Sequence, residues 1–108
     1  MIRFIPFENN GIAGMTALEG ENEIGRCEFN VDGYNMTFLS VECTDDIITE
    51  GLARAAMNYA ANRNAYIAKI KKEFSCAAFI RLGFSGEDIL SVEIPEALAS
   101  GCTCGANQ

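Results

Sequence analysis

The sequence has no histidine, few positive charges and no long apolar run. Without histidine, the commonest general base and the commonest metal ligand are both missing. Any chemistry therefore falls on carboxylates, tyrosines, thiols or backbone groups. Lys and Arg number eight against fifteen Asp and Glu, giving a formal net charge of −7, and the eight are spread along the chain. No concentrated positive footprint exists to hold a phosphate backbone, so neither nucleic acid nor an anionic membrane is an expected partner. The apolar stretches fall far below the roughly 20 residues that cross a bilayer. The N-terminus MIRFIPFENN lacks a signal-peptide pattern. These features predict a cytoplasmic protein.

Paired cysteines are also missing. Five is an odd number, and Cys27, Cys43 and Cys76 stand singly inside segments that read as strands or helices. That is unlike the framework of a small secreted domain and fits reduced thiols in a cytosol.

What is present is the composition of a folding unit. Hydrophobic residues make up 49% of the 108 residues and charged residues 21%, enough to bury a core. The reading is one domain over 1–100 and a flexible, cysteine-containing tail over 101–108.

Residues Met1 to Phe7 read as a short strand, at an edge because of Pro6. The Asn- and Gly-rich stretch from Glu8 to Gly14 reads as a loop. Met15–Glu19 and Ile24–Val31 read as strands joined by Gly20-Glu21-Asn22, and Asp32-Gly33 supplies a hairpin turn into Met36–Cys43. Gly25, Cys27, Phe29 and Val31 share one face opposite Arg26, Glu28 and Asn30. In the next strand Leu39, Val41 and Cys43 alternate with Phe38, Ser40 and Glu42, apolar on much of both faces, as in a central strand.

Asp45 and Asp46 stand where an N-cap and first-turn charge belong, before Ile48, Leu52, Ala55, Ala56 and Tyr59 at helical spacing. This predicts a helix up to Asn62-Arg63-Asn64. Tyr66–Ile70 reads as a strand, Lys72–Leu82 as a helix stopped by Gly83, and Ile89–Ile94 as a last strand. A strand–helix–strand unit needs a crossover, so Tyr66–Ile70 runs parallel to the strand before it. The expected fold class is α/β (α+β): an antiparallel meander, a βαβ unit, a second helix and a closing strand in one mixed sheet.

That order, with the stretches GENEIG, EGLARAAMNYA and AAFIRLGF, resembles the GCN5-related N-acetyltransferases (GNAT) over roughly Met15 to Ile94. The family normally has two helices between its first and second strands, and Phe7 to Met15 leaves no room for them. The resemblance implies an acceptor side that is open or completed by a second subunit, and with it a homodimer. It also implies transfer of an acyl group from acetyl-CoA or another acyl-CoA to an amine, on a small molecule or a protein.

Carried onto this chain, the cofactor-binding positions are Val41, Cys43, Ile47, Ile48, Thr49, Glu50 and Gly51, with Phe79 in the second helix. Family members hold the pyrophosphate on the backbone of a glycine-bearing loop at the start of the long helix. Here the loop reads Thr44-Asp45-Asp46-Ile47-Ile48-Thr49-Glu50-Gly51, with one glycine and three acids. The acids repel a polyanion; they also cap a helix without any ligand. Many members carry a tyrosine four residues before the Gly of Leu-Gly-Phe, as general acid to the leaving thiolate; this chain has Phe79, which has no proton to give. Tyr34, Tyr59 and Tyr66 read as packing aromatics.

Glu42 is the first choice of general base and Glu28, on the neighbouring strand, the second; isolated carboxylates are otherwise surface residues. The alternative to catalysis is a binding or assembly module on the same scaffold. Cys102 and Cys104, at C-x-C spacing in the tail, are two weak candidate ligands for a soft metal, fewer than the four of a closed zinc site, so no metal is expected.

Overall fold

The computed structural model describes residues 1–102. Six strands form one sheet in sequence order: β1 Ile2–Asn9, β2 Ile12–Glu19, β3 Asn22–Asp32, β4 Asn35–Glu42, β5 Ile67–Lys71 and β6 Ile89–Glu93. Helix α1 spans Asp46–Ala61, α2 Ala77–Arg81 and α3 Ile94–Cys102. All neighbouring strands are antiparallel except β4 and β5, which α1 joins as a parallel crossover.

The expected meander, crossover and mixed sheet are present. Three local expectations change. The stretch Glu8–Gly14 is a tight hairpin rather than a loop: Asn10 and Gly11 both take positive φ, 55° and 82°, the two-residue turn whose twist suits paired strands. β1 and β2 therefore run on to Asn9 and Ile12, in register from Ile2↔Glu19 to Asn9↔Ile12.

The helix expected over Lys72–Leu82 is broken. A 3-10 turn at Lys72–Phe74 is followed by extended Ser75 and Cys76, and only Ala77–Arg81 is α-helical. Phe74, which helical spacing sets in one apolar stripe with Ala78 and Leu82, is 43% exposed, whereas Ala78, Phe79 and Leu82 are buried. The stripe thus starts one turn later than its spacing suggests, and Gly83 at φ 102° ends the helix as expected.

The third change is α3, which the sequence reading did not foresee. It follows β6 directly at Ile94, with Pro95 in the first turn, where a missing N–H costs nothing. Ile94 and Ala97 are buried in the common core. The α3 backbone runs to Cys102, two residues into the stretch read as a tail, and Cys104 lies outside the described residues.

All three helices pack on one face of the sheet. α1 buries Leu52, Ala53, Ala56, Met57 and Ala60 against Met15, Cys27, Phe29, Met36 and Phe38. Its alanines let the helix lie close to the strands. Phe79 of α2 stands edge-on to Phe38 and Phe84, each with ring centroids 5.2 Å apart. The opposite face carries the paired rows Thr16–Arg26–Glu42, Glu28–Ser40 and Asn30–Thr37–Lys69–Ser91, with no helix over it among the described residues. Both sheet edges are blunted: Pro6 removes a donor from β1, and Ser85 exchanges backbone hydrogen bonds with Ser91 on β6.

Candidate functional site

The parallel pair β4–β5 ends where α1 begins, the place where open α/β sheets gather ligands. β4 pairs with β5 from Asn35↔Ile67 to Phe38↔Ile70 and no further, although β4 continues to Glu42. The cause lies in β4. Its register with β3 steps from Phe29↔Phe38 to Glu28↔Ser40, which leaves Leu39 as an extra, bulged residue, 36% exposed. A bulge bends its strand and re-aims the side chains beyond it. From Leu39 to Glu42 no strand pairs with β4 on its β5 side, so a polar backbone edge opens beside α1.

The bulge also corrects the expected alternation. Phe38 and Val41 pair with Phe29 and Cys27, so both face the helices, while Ser40 and Glu42 pair with Glu28 and Arg26 on the uncovered face. Both candidate bases therefore share one face. Glu42 is exposed at the end of β4. Glu28 is half-buried and held: Arg26 approaches one carboxylate oxygen at 3.6 Å and Ser40 Oγ donates to the other at 3.5 Å. Arg26 is in turn placed by aromatic packing, its guanidinium 4.8 Å from the centroid of Phe7, whose ring covers Gly14.

At the start of α1 the structure differs from a ligand cradle. Asp45 is the N-cap, and its Oδ1 accepts from Ile47 N at 2.9 Å and Ile48 N at 3.1 Å. Thr49 turns inward, its N and its Oγ1 both donating to the Asp45 carbonyl at 2.8 Å. Gly51 sits in the helix under the Phe4 ring, serving packing rather than a loop. Glu50 accepts from Arg54 at 2.7 Å and from Arg81 at 3.3 Å, and Arg81 reaches Asp46 at 3.9 Å. The sequence reading passed over these two arginines. The Glu50–Arg54 pair was legible from its i,i+4 spacing; Arg81 comes from a distant segment.

Two of the donors at this helix start, Ile47 N and Ile48 N, are thus spent on the chain's own carboxylate. A diphosphate placed here meets the Asp45 carboxylate with Asp46 and Glu50 beside it, whereas the unpaired β4 edge carries no charge of its own. Phe79 is fully buried among aromatic rings and offers no proton. Cys43 Sγ donates to the Ile24 and Asp45 carbonyls at 3.7 and 3.6 Å, which ties the turn between β4 and α1.

Other groups stand apart. Cys27 is buried, and burial pushes its thiol up to about 12. The Tyr66 hydroxyl donates to Glu93 at 3.3 Å, and that carboxylate raises its pKa. Two surface hollows, about 750 and 480 Å³, lie around Lys71–Glu73 with Asp88 and between Cys76, Ile80, Phe84 and Leu90. Neither is lined by a residue of β4 or α1, so the opening at Leu39 is a strand-edge feature rather than a deep cavity. Among the described residues no group of three or more His, Cys, Asp or Glu is gathered for a metal. No helix among them is long and apolar enough to cross a membrane.

A mixed sheet with a parallel crossover, a bulged fourth strand and a helix starting at the strand split defines an α+β class of fold. The fold is that of the GNAT acetyltransferases. It is similar to the PaiA N-acetyltransferase of Thermoplasma acidophilum in complex with coenzyme A, at 15% identity and TM-score 0.67, over 77% of this chain and 61% of that one. The ribosomal-protein-S18-alanine N-acetyltransferase of Escherichia coli matches at 10% identity and TM-score 0.65, over 81% and 72%. The aminoglycoside 6'-N-acetyltransferase of Enterococcus faecium matches at 10% and 0.65, over 80% and 76%. No protein-family model and no curated protein matches the sequence.

Proposed function

We propose that the chain moves an acyl group from a thioester to an amine, on a small molecule or a protein, at the opening between β4 and β5. The observation that carries this reading is the bulge at Leu39, which ends strand pairing beside the start of α1 and leaves a polar edge free. On the uncovered face, Glu28 and Glu42 stand beside this opening in register with Ser40 and Arg26. In the reaction the amine nitrogen forms a bond to the thioester carbonyl carbon, the carbon–sulfur bond breaks, and the amine proton passes to a carboxylate. Glu28 is the better-placed base, because Arg26 and Ser40 hold it; Glu42 is free to swing. With Phe79 in place of an acid, the leaving thiolate takes its proton from water. The reduced thiols Cys27, Cys43 and Cys76 suit a cytosolic setting.

A second reading, a binding or assembly module without catalysis, is favoured by Phe79 and by the Asp45 cap. The two separate in one experiment: mass spectrometry of an amine panel incubated with millimolar acetyl thioester and the reduced protein. Acylated amine that disappears with Glu28→Gln supports transfer. No product above the protein-free rate overturns transfer and leaves the binding module.

A further inference from the structure

We propose that Asp45 sets the donor class of the β4–β5 opening: the opening takes an acyl thioester that carries no diphosphate. This rests on the thioester-transfer reading above and narrows it.

A helix start attracts phosphate because its first N–H groups have no partner inside the helix. In α1 two of them have a partner already: Ile47 N and Ile48 N donate to the Asp45 carboxylate, while Thr49 N starts the ordinary intrahelical ladder on the Asp45 carbonyl. A diphosphate has to displace an anion that is covalently part of the same turn. If Asp45 swings away, its charge stays within a side chain's length of the incoming phosphate, and like charges repel at that range.

The neighbouring charges do not reverse this. Asp46 and Glu50 add two more carboxylates, and Arg54 and Arg81 are engaged with them. Of these five side chains three are negative and two positive. Glu50 is the least exposed of the ion-paired set, at 22% of its side chain, so freeing either arginine takes one of two partners from a partly buried carboxylate. The β4 edge beyond Phe38 asks for something different. It offers neutral backbone N–H and C=O groups, which suit the amides of a pantetheine-like arm and bring no charge of their own. A neutral arm meets the β4 edge and leaves the Asp45 cap intact; a donor with a diphosphate must break the cap.

The experiment is calorimetric titration of acetyl-CoA and of S-acetylpantetheine, which has the same thioester arm without phosphates, into the reduced protein and into Asp45→Gly and Asp45→Asn. Gly vacates both N–H groups with little loss as a cap, and Asn keeps the cap without the charge. The unsubstituted protein is expected to bind S-acetylpantetheine at least about tenfold more tightly than acetyl-CoA, and Asp45→Gly to gain at least about tenfold for acetyl-CoA with S-acetylpantetheine within about threefold. Should Asp45→Gly melt below the assay temperature, Asp45→Asn carries the test, with an expected gain of at least about threefold for acetyl-CoA. Tighter binding of acetyl-CoA than of S-acetylpantetheine by the unsubstituted protein overturns the donor class and leaves thioester transfer standing. Binding of neither compound by any of the three proteins overturns both.

Discussion

The Phe4 ring lies directly over Gly51: a Cβ built on Gly51 would stand 2.5 Å from Phe4 Cζ. One edge strand is thereby seated on the second turn of the helix that begins at the strand split. A glycine in a helix interior costs about 1 kcal/mol against alanine, so something must compensate, and the ring is what does.

Gly51→Ala is therefore expected to destabilise the protein by about 1 kcal/mol, since the overpacking cost of about 1–3 kcal/mol exceeds the propensity gain. In a Phe4→Ala background the same change should become stabilising. Urea denaturation of the four proteins checks it; a stabilising effect in both backgrounds would show that the ring moves aside freely.

Phe79→Tyr restores the residue type that many family members place there, and it is expected to harm rather than help. Phe79 is fully buried between Phe38 and Phe84, so the added hydroxyl meets ring carbons and no acceptor. The cost is about 1–3 kcal/mol for an unsatisfied buried polar group. A melting temperature equal to that of the unsubstituted protein would place an acceptor or water beside the ring and reopen a general-acid role.

Cys27 gives the protein an alkaline limit. Its folded pKa is about 12 against the ordinary 9.0, raised chiefly by burial. The folded state therefore keeps a proton that the unfolded chain loses first. This contribution is complete below about pH 9 and is lost as pH rises from about 9 toward 12, at up to about 1.4 kcal/mol per pH unit. Comparing Cys27→Ala with the unsubstituted protein by thermal melting from pH 8 to 11 isolates it: the variant should show the shallower decline. The same burial predicts that iodoacetamide labels exposed Cys76 in the folded protein and Cys27 only after unfolding.

Much of the fold was legible because period and capping signals agreed. Asp45, Asp46 and the apolar repeat from Ile48 to Tyr59 located α1, and its actual span is Asp46–Ala61. The alternation of Gly25, Cys27, Phe29 and Val31 assigned the buried face of β3 correctly. What escaped was set by tertiary context. The Asn10-Gly11 turn was readable, but the surrounding Asn and Gly residues masked it as a loop. The bulge at Leu39 leaves no mark in the sequence, because strict alternation through Phe38–Glu42 looks equally good on paper. α3 escaped because Ile94 was read as the end of a strand rather than the first buried residue of a helix.

The candidate site was legible as positions and not as roles. Glu28 and Glu42 were found as carboxylates on adjacent strands, and their common face depends on the unseen bulge. Asp45 was readable as a cap. That its carboxylate takes the donors of Ile47 and Ile48 together is a geometric fact, and Arg81, brought from another segment to Glu50 and Asp46, had no local signal at all.

The central claim is the location of the ligand edge. The most direct test is a titration of S-acetylpantetheine into nitrogen-15-labelled protein, followed by backbone amide shifts. The account predicts the largest changes at Leu39–Glu42, spreading to Ile47 and Ile48 at the start of α1. Changes confined to Lys71–Glu73 and Asp88–Ile89, around the hollow of about 750 Å³, would contradict it and move the site from the β4 edge to the β5–β6 side of the split.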